Sequence, residues 1–337
     1  LAQLAGGLKQ YDAAQTWWDN YATNASTSNE RALALYSQAL IRQERQDTAG
    51  ASDAYRRVVQ DFGDTRYGLL ALQALRSAGE ELPVLQQAHV YFANRQNEQA
   101  VAAYQAYLAA SPQGASAGLA RYRLAILQQR LGNLERAMTL YNEVHDAYPN
   151  EPFARDAWLE VGLILKELDR KLEAAMFFEK LAAWYPSAAE TERALWEAGM
   201  LYYRLNRPRD AVRALGALRE RFPASRTLTR TVFWYGKSLQ AAGDTAAART
   251  AWQAIASDPR PDYYTLRAAE LLGFGSSSGA QAPALAGDDE RAGLVQWMEG
   301  WAGARAIVDV GGDAHVQRAV LLSRLGLHDE ALTEFAL

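Results

Sequence analysis

The residues of this chain that could do chemistry are few, and their spacing does not suit it. Four histidines occur, His89, His145, His315 and His328. None lies at metal-ligand spacing from another, and no His-Glu-x-x-His stands among them. They read as solvent-facing residues of helices or turns. The chain has no cysteine, which excludes a disulfide framework, a thiolate nucleophile and a cysteine-based zinc site. No Gly-x-Ser-x-Gly nucleophile elbow is present; Gly273-Phe274-Gly275-Ser276 has no strand before it. A glycine-rich loop ending in Lys-Ser or Lys-Thr is also missing. Acidic pairs such as Asp288-Asp289 and Glu80-Glu81 suit helix-terminal charges better than paired catalytic carboxylates. No catalytic residue, metal ligand or cofactor site is therefore assigned.

The elements that would carry such residues are helical throughout. The 337 residues are 49% hydrophobic and 22% charged, with a net charge of −4. This gives ample apolar surface for a core and no case for global disorder. No basic patch with interleaved aromatics appears, so nucleic acid is not expected as a partner. No run of about 18 apolar residues exists, so no membrane span is expected. Leu1 to Leu8 already follow a helical pattern with no signal segment, as in a mature or trimmed piece.

A 37-residue ruler orders the chain. An alanine column reads Ala14, Ala51, Ala100, Ala137, Ala174, Ala211, Ala248 and, after a break, Ala331. Four residues later stand Trp18, Tyr55, Tyr104, Tyr141, Phe178, Leu215, Trp252 and Phe335. Twelve residues before each alanine is a small residue: Ala2, Ala39, Ala88, Ala125, Gly162, Gly199, Gly236 and Ala319. Twelve residues after it, Pro112, Pro149, Pro186 and Pro223 stand in line, with Pro259 one early and Gly63 in an earlier unit. Small residues let two antiparallel helices approach, a large residue one turn on fills the remaining space, and proline ends the second helix. Turns such as Leu131-Gly132-Asn133 and Ala242-Gly243-Asp244 separate the pair, with Asn133 and Asp244 placed to cap the second helix. The pattern resembles the tetratricopeptide repeat, stretched beyond its usual length. It predicts an all-α, right-handed superhelical solenoid.

The ruler breaks twice. A short helix is expected near 66–80, in RYGLLALQALRSAGE, and another near 262–273, in DYYTLRAAELLG. Residues 1–275 thus form the solenoid and 276–287 a flexible linker of small residues. Residues 288–337 form further helices, with Trp297, Met298 and Trp301, and a last repeat that stops inside its second helix. The natural polypeptide is expected to continue past Leu337.

One row could bind a ligand. Three residues before the small column stand Tyr36, Leu85, Tyr122, Leu159, Trp196 and Phe233. First helices line the concave face of such repeats, so Tyr36, Tyr122, Trp196 and Phe233 would form an aromatic ladder for sugars or a peptide. The same row would equally serve to pack neighbouring helices. Arg193, Arg230 and Lys237 nearby would suit an acidic ligand, or simply solvate a face.

Phe233-Trp234-Tyr235-Gly236-Lys237, the Gly243-Asp244 turn, Trp252, Tyr263-Tyr264, Arg267-Ala268-Ala269 and Trp297 give a second resemblance. Together they look like the N-terminal superhelical region of bacterial soluble lytic transglycosylases. It covers most of residues 114–337 and is most specific over Phe233 to Gly273. The resemblance implies an exported, periplasmic or envelope protein and a non-catalytic scaffold that orients peptidoglycan glycan strands. The catalytic domain would then lie beyond Leu337, since the family's Glu-Ser and Gly-Leu-Met-Gln motifs are absent here. The alternative is a repeat adaptor that binds a protein or peptide partner in envelope assembly. A helical regulator sensing a small ligand is a third reading that no residue favours.

Overall fold

A computed structural model describes residues 10–257 and 262–273. Fifteen helices and no strand are found among these residues. They are α1 (Tyr11–Asn24), α2 (Ser28–Glu44), α3 (Thr48–Phe62), α4 (Arg66–Ser77), α5 (Val84–Ala93), α6 (Asn97–Ala110), α7 (Ala117–Arg130) and α8 (Leu134–Ala147). There follow α9 (Pro152–Glu167), α10 (Lys171–Trp184), α11 (Ala189–Arg204), α12 (Pro208–Arg221), α13 (Leu228–Ala241), α14 (Thr245–Ala256) and α15 (Tyr263–Leu271). The chain forms two compact units, Leu1–Ala214 and Leu215–Leu337, divided within α12. The fold is an all-α repeat solenoid of helix pairs. Column members Ala2, Ala319, Ala331, Phe335 and Pro259 lie outside the described residues, as do the linker 276–287 and the segment 288–337.

In the first unit the pairs are α2/α3, α5/α6, α7/α8 and α9/α10, with α11 beginning a fifth. Every described member of the alanine and large-residue columns is buried. The small column does more than allow two helices to touch. A Cβ built on Gly162 of α9 would lie 2.3 Å from Cε1 of Phe178 on α10. The ring of the large residue therefore rests directly on the glycine backbone. Packing at crystal-like density leaves no slack for the missing methyl.

Each pair turns by one device. Gln46, Arg95, Asp169 and Asn206 have φ of 61°, 59°, 60° and 54°, and Gly132 has φ of 79°. Each sits seven residues after its small-column residue. The next residue's N–H donates to the carbonyl five residues back, as in Asp47 to Arg42 (3.0 Å), Gln96 to Tyr91 (2.9 Å) and Asn133 to Gln128 (2.9 Å). This left-handed closure satisfies carbonyls that the helix end leaves open. Asn133 does not cap α8 with its side chain; its amide donates to Gln128 Oε1 (3.0 Å) instead. Where proline follows the second helix, the preceding Tyr148 and Tyr185 adopt φ of −136° and −120°, outside the α region that proline forbids its neighbour.

The second unit holds the end of α12, the pair α13/α14 and α15. Here a Cβ on Gly236 would lie 2.3 Å from Trp252 Nε1, which donates to the Phe233 carbonyl at 3.1 Å. Gly243 makes the turn at φ 91°, and Asp244 caps α14 by accepting from Ala247 N–H at 3.0 Å. Asp262 and Thr265 form a capping box at the start of α15.

One histidine departs from the solvent-facing expectation. His145 is 3% exposed. Its ring stacks on Trp158 with centroids 3.3 Å apart, and Trp184 and Tyr185 meet it edge-on at 5.4 and 5.9 Å. Those aromatics belong to later segments of the chain, so nothing around position 145 announces them. Burial pushes the imidazole pKa below its ordinary value; contact with Asp146 opposes this and Lys180 adds to it. A depressed folded pKa contributes stability that is present above ~6.5 and lost as pH falls through the folded value.

Three outcomes are expected from thermal or denaturant unfolding. Gly162→Ala, which would stabilise an ordinary helix interior, destabilises by about 1–3 kcal/mol because its methyl meets Phe178. Gly132→Ala costs about 1–2 kcal/mol, whereas Gln46→Gly is neutral or stabilising by up to ~1 kcal/mol. The stability of His145→Phe relative to the parent rises as pH is lowered from about 7.5 to about 5, because only the parent must bury an ionisable ring. A pH-independent difference would contradict that account.

Candidate binding surface

The first helices of successive pairs, α2, α5, α7, α9 and α11, carry the row that the sequence singled out. Tyr36 is partly buried, its ring 5.5 Å from Tyr55 and 5.8 Å from Tyr67 of α4. Leu85 is partly buried and Leu159 is buried. Tyr122 keeps partial exposure between Tyr141 (5.9 Å) and Phe153 (5.9 Å, stacked). Trp196 on α11 is also partly exposed. In the second unit Phe233 is 1% exposed, its ring 5.6 Å from Tyr264 of α15. Packing thus takes most of the row's apolar area, and Tyr36, Tyr122 and Trp196 retain some solvent contact.

Successive first helices are also joined by side-chain pairs 31 residues apart. Arg123 lies over the Phe92 ring at 5.4 Å. Gln129 donates to Glu160 at 3.0 Å, and Lys166 to Glu197 at 2.8 Å. The chemistry changes while the place does not, and the buried tyrosines explain why. Tyr55 and Tyr141 hydroxyls donate to Gln43 (2.8 Å) and Gln129 (2.7 Å), each twelve residues earlier. Before Tyr104 that place holds Phe92, which cannot accept, and the hydroxyl instead accepts from Arg123 Nη1 at 3.0 Å. Phe178 has no hydroxyl to satisfy, which leaves Lys166 free for Glu197. A buried hydroxyl without a partner would cost stability, so each substitution is matched by another.

Charge on this surface is uneven. Arg95, Arg123 and Arg130 cluster where α5 meets α7, with Arg130 Cζ 4.4 Å over the Phe92 ring. Burial and then Arg95 hold the Arg130 pKa below the ordinary guanidinium value. Burial and then Arg123 lower that of His89. Towards α9 and α11 both signs are present, with Arg155 paired to Glu190 at 3.6 Å and Lys166 to Glu197 at 2.8 Å. Asp156 has a raised pKa, first from burial and then from Glu190. The Tyr122 hydroxyl is pushed up to about 12 by burial, then by Asp156 and Glu160. It stays protonated at neutral pH and acts as a donor.

Nothing in this arrangement pairs a nucleophile with a base. Among the described residues no three His, Asp or Glu converge as metal ligands, and no helix is long and apolar enough to cross a membrane. The surface can hold a ligand by stacking, hydrogen bonds and ion pairs. Of the basic residues that the sequence set beside the row, Arg193 is exposed on α11, while Arg230 and Lys237 belong to α13. The Arg95, Arg123 and Arg130 cluster escapes sequence reading because it assembles from a turn and a following helix. Its one sequence signal is the 31-residue spacing of Phe92 and Arg123.

Comparison with known proteins agrees with the repeats. One tetratricopeptide-repeat family profile matches residues 85–152, and a second matches 33–65 and 193–225. No curated protein matches the sequence at a significant level. Among solved structures the chain is similar to a tetratricopeptide repeat protein from Parabacteroides merdae, at 13% identity over 75% of this chain and 90% of that one, TM-score 0.42. It is similar to MamA at 14% identity over 59% and 96%, TM-score 0.40. It is also similar to PilW, a type IV pilus biogenesis factor, at 15% identity over 71% and 98%, TM-score 0.38. Residues 33–65, 85–152 and 193–225 of this all-helical chain thus match tetratricopeptide-repeat profiles.

Proposed function

We propose that this protein is a repeat adaptor that binds a protein or peptide partner along the first helices of its Leu1–Ala214 unit. The observation that carries the reading is the aromatic row of the first helices, which the core uses only in part. The column residues Tyr55, Tyr104, Tyr141 and Phe178 of the second helices are sealed in the core. The first helices keep Tyr36, Tyr122 and Trp196 partly exposed. Partly exposed aromatics on rigid helices lose little entropy on binding and provide anchors for a partner. Tetratricopeptide matches on three separate stretches support the same reading.

A second reading rests on the residues Phe233 to Gly273, which resemble lytic transglycosylases. It makes the chain a scaffold that orients peptidoglycan glycan strands for a catalytic domain beyond Leu337, in an exported or envelope protein. The partly exposed aromatics would then stack on sugars.

Affinity capture with the whole chain distinguishes the two. Under the adaptor reading a stoichiometric protein partner is recovered by the parent and by Met176→Ala, whose side chain is exposed on α10. The same partner is lost with Tyr122→Ala or Trp196→Ala. If Met176→Ala loses it equally, the surface is misassigned. Under the glycan reading, titration with soluble muropeptides changes tryptophan fluorescence and no protein is retained.

A further inference from the structure

We infer that α10 carries a self-association site, on which a second copy of this chain seats the same helix across a two-fold axis. The site uses a different helix face from the first-helix row, and it does not depend on the adaptor reading.

Leu172, Met176, Lys180 and Trp184 follow one another at every fourth residue of α10, and all are exposed. Met176 is 59% exposed, Trp184 57% and Leu172 39%. Folding does not call for these types. The same four places hold Ala49, Asp53, Arg57 and Asp61 on α3, and Glu98, Ala102, Ala106 and Ala110 on α6. On α8 they hold Glu135, Thr139, Glu143 and Ala147. Those residues are exposed too, so the sister helices form and pack with small or polar side chains there. Apolar residues scattered singly over a surface are ordinary; three of them in line on one helix point to a contact.

The line is complementary to itself. Residues four apart form a ridge inclined about −26° to the helix axis, and two such ridges lie side by side when helices cross at about −50°. A two-fold axis between Met176 and Lys180 sets Leu172 against Trp184 of the second copy, and Met176 against its Lys180. The Lys180 ammonium turns back onto its own chain, 4.6 Å over the Trp158 ring. The lysine therefore offers Met176 its methylene stem.

Charge favours a second copy over a strongly charged ligand. Beside the ridge, Arg170 pairs with Glu173 and Lys171 with Asp169, each at 2.5 Å, and Glu179 pairs with Arg213 at 3.0 Å. Flanks neutralised within the chain give such a ligand little to grip and set up no repulsion between like copies. Area fixes the strength. A helix of 14 residues is about 21 Å long and about 10 Å across, well short of the roughly 800 Å² that each partner gives to a stable complex. The pair is therefore weak and concentration-dependent, with a Kd on the order of 0.1 mM.

Sedimentation equilibrium of the whole chain from about 10 to about 500 μM should show a reversible monomer–dimer equilibrium with that constant. Met176→Lys sets like charges face to face and should weaken the dimer at least about tenfold, whereas Met176→Glu meets Lys180 of the other copy and should keep it within about threefold of the parent. Tyr122→Ala should leave the dimer unchanged. The chain has no cysteine, so introduced ones report contacts cleanly. Under mild oxidation a mixture of Leu172→Cys and Trp184→Cys chains should crosslink. Neither should do so alone, because each position lies about 18 Å along the helix from its own counterpart. A parent that stays monomeric, two Met176 variants that behave alike, or crosslinking by Leu172→Cys alone as readily as by the mixture overturns the inference. So does an unrelated protein that the parent retains and Met176→Lys loses.

Discussion

The structure depends on one contact, repeated: a bulky ring of the second helix seated on the backbone of the first. Gly162 under Phe178 and Gly236 under Trp252 show it at its tightest, since a Cβ on either glycine would lie 2.3 Å from the ring. Glycine inside a helix is unfavourable in itself. It is retained here because the alternative is to push two helices apart along their whole length. Burying a large aromatic side chain offsets the local cost, and the closeness of the pair leaves the second helix one rotation about the first. Where the small residue is alanine, as at Ala39, Ala88 and Ala125, the ring is a tyrosine whose hydroxyl reaches a polar partner.

From that contact follow the turn and the joint between repeats. Helices held so closely must reverse within three residues. A single left-handed residue with its five-back hydrogen bond does this whether the side chain is Gly, Asn, Asp, Gln or Arg. The backbone requirement is constant and tertiary context overrides the preference of the residue. The joint between repeats is equally constant in place and free in chemistry: a cation over a ring, an amide to a carboxylate, an ammonium to a carboxylate. Each choice is tied to whether the neighbouring buried ring has a hydroxyl that needs a partner.

Function on such a scaffold belongs to side chains that the core does not use. The large-residue column is consumed by packing, and the aromatic row of the first helices is largely so. What remains for a partner is the partly exposed edge of Tyr36, Tyr122 and Trp196.

The sequence by itself determined the helix pairs, their period and the buried columns, because spacings of four, twelve and 37 residues repeat often enough to outweigh composition. It also determined the short helices at Arg66–Ser77 and Tyr263–Leu271, through apolar runs between breakers. Only the tertiary structure decided which polar residues meet. His145 is buried because Trp158 arrives from the next pair. Arg123 belongs to Phe92 and Tyr104 because the position before Tyr104 lost its acceptor. Periodicity records what every repeat must do to pack, and it is silent on contacts made once, between residues far apart in the chain, whose partners are chosen by geometry.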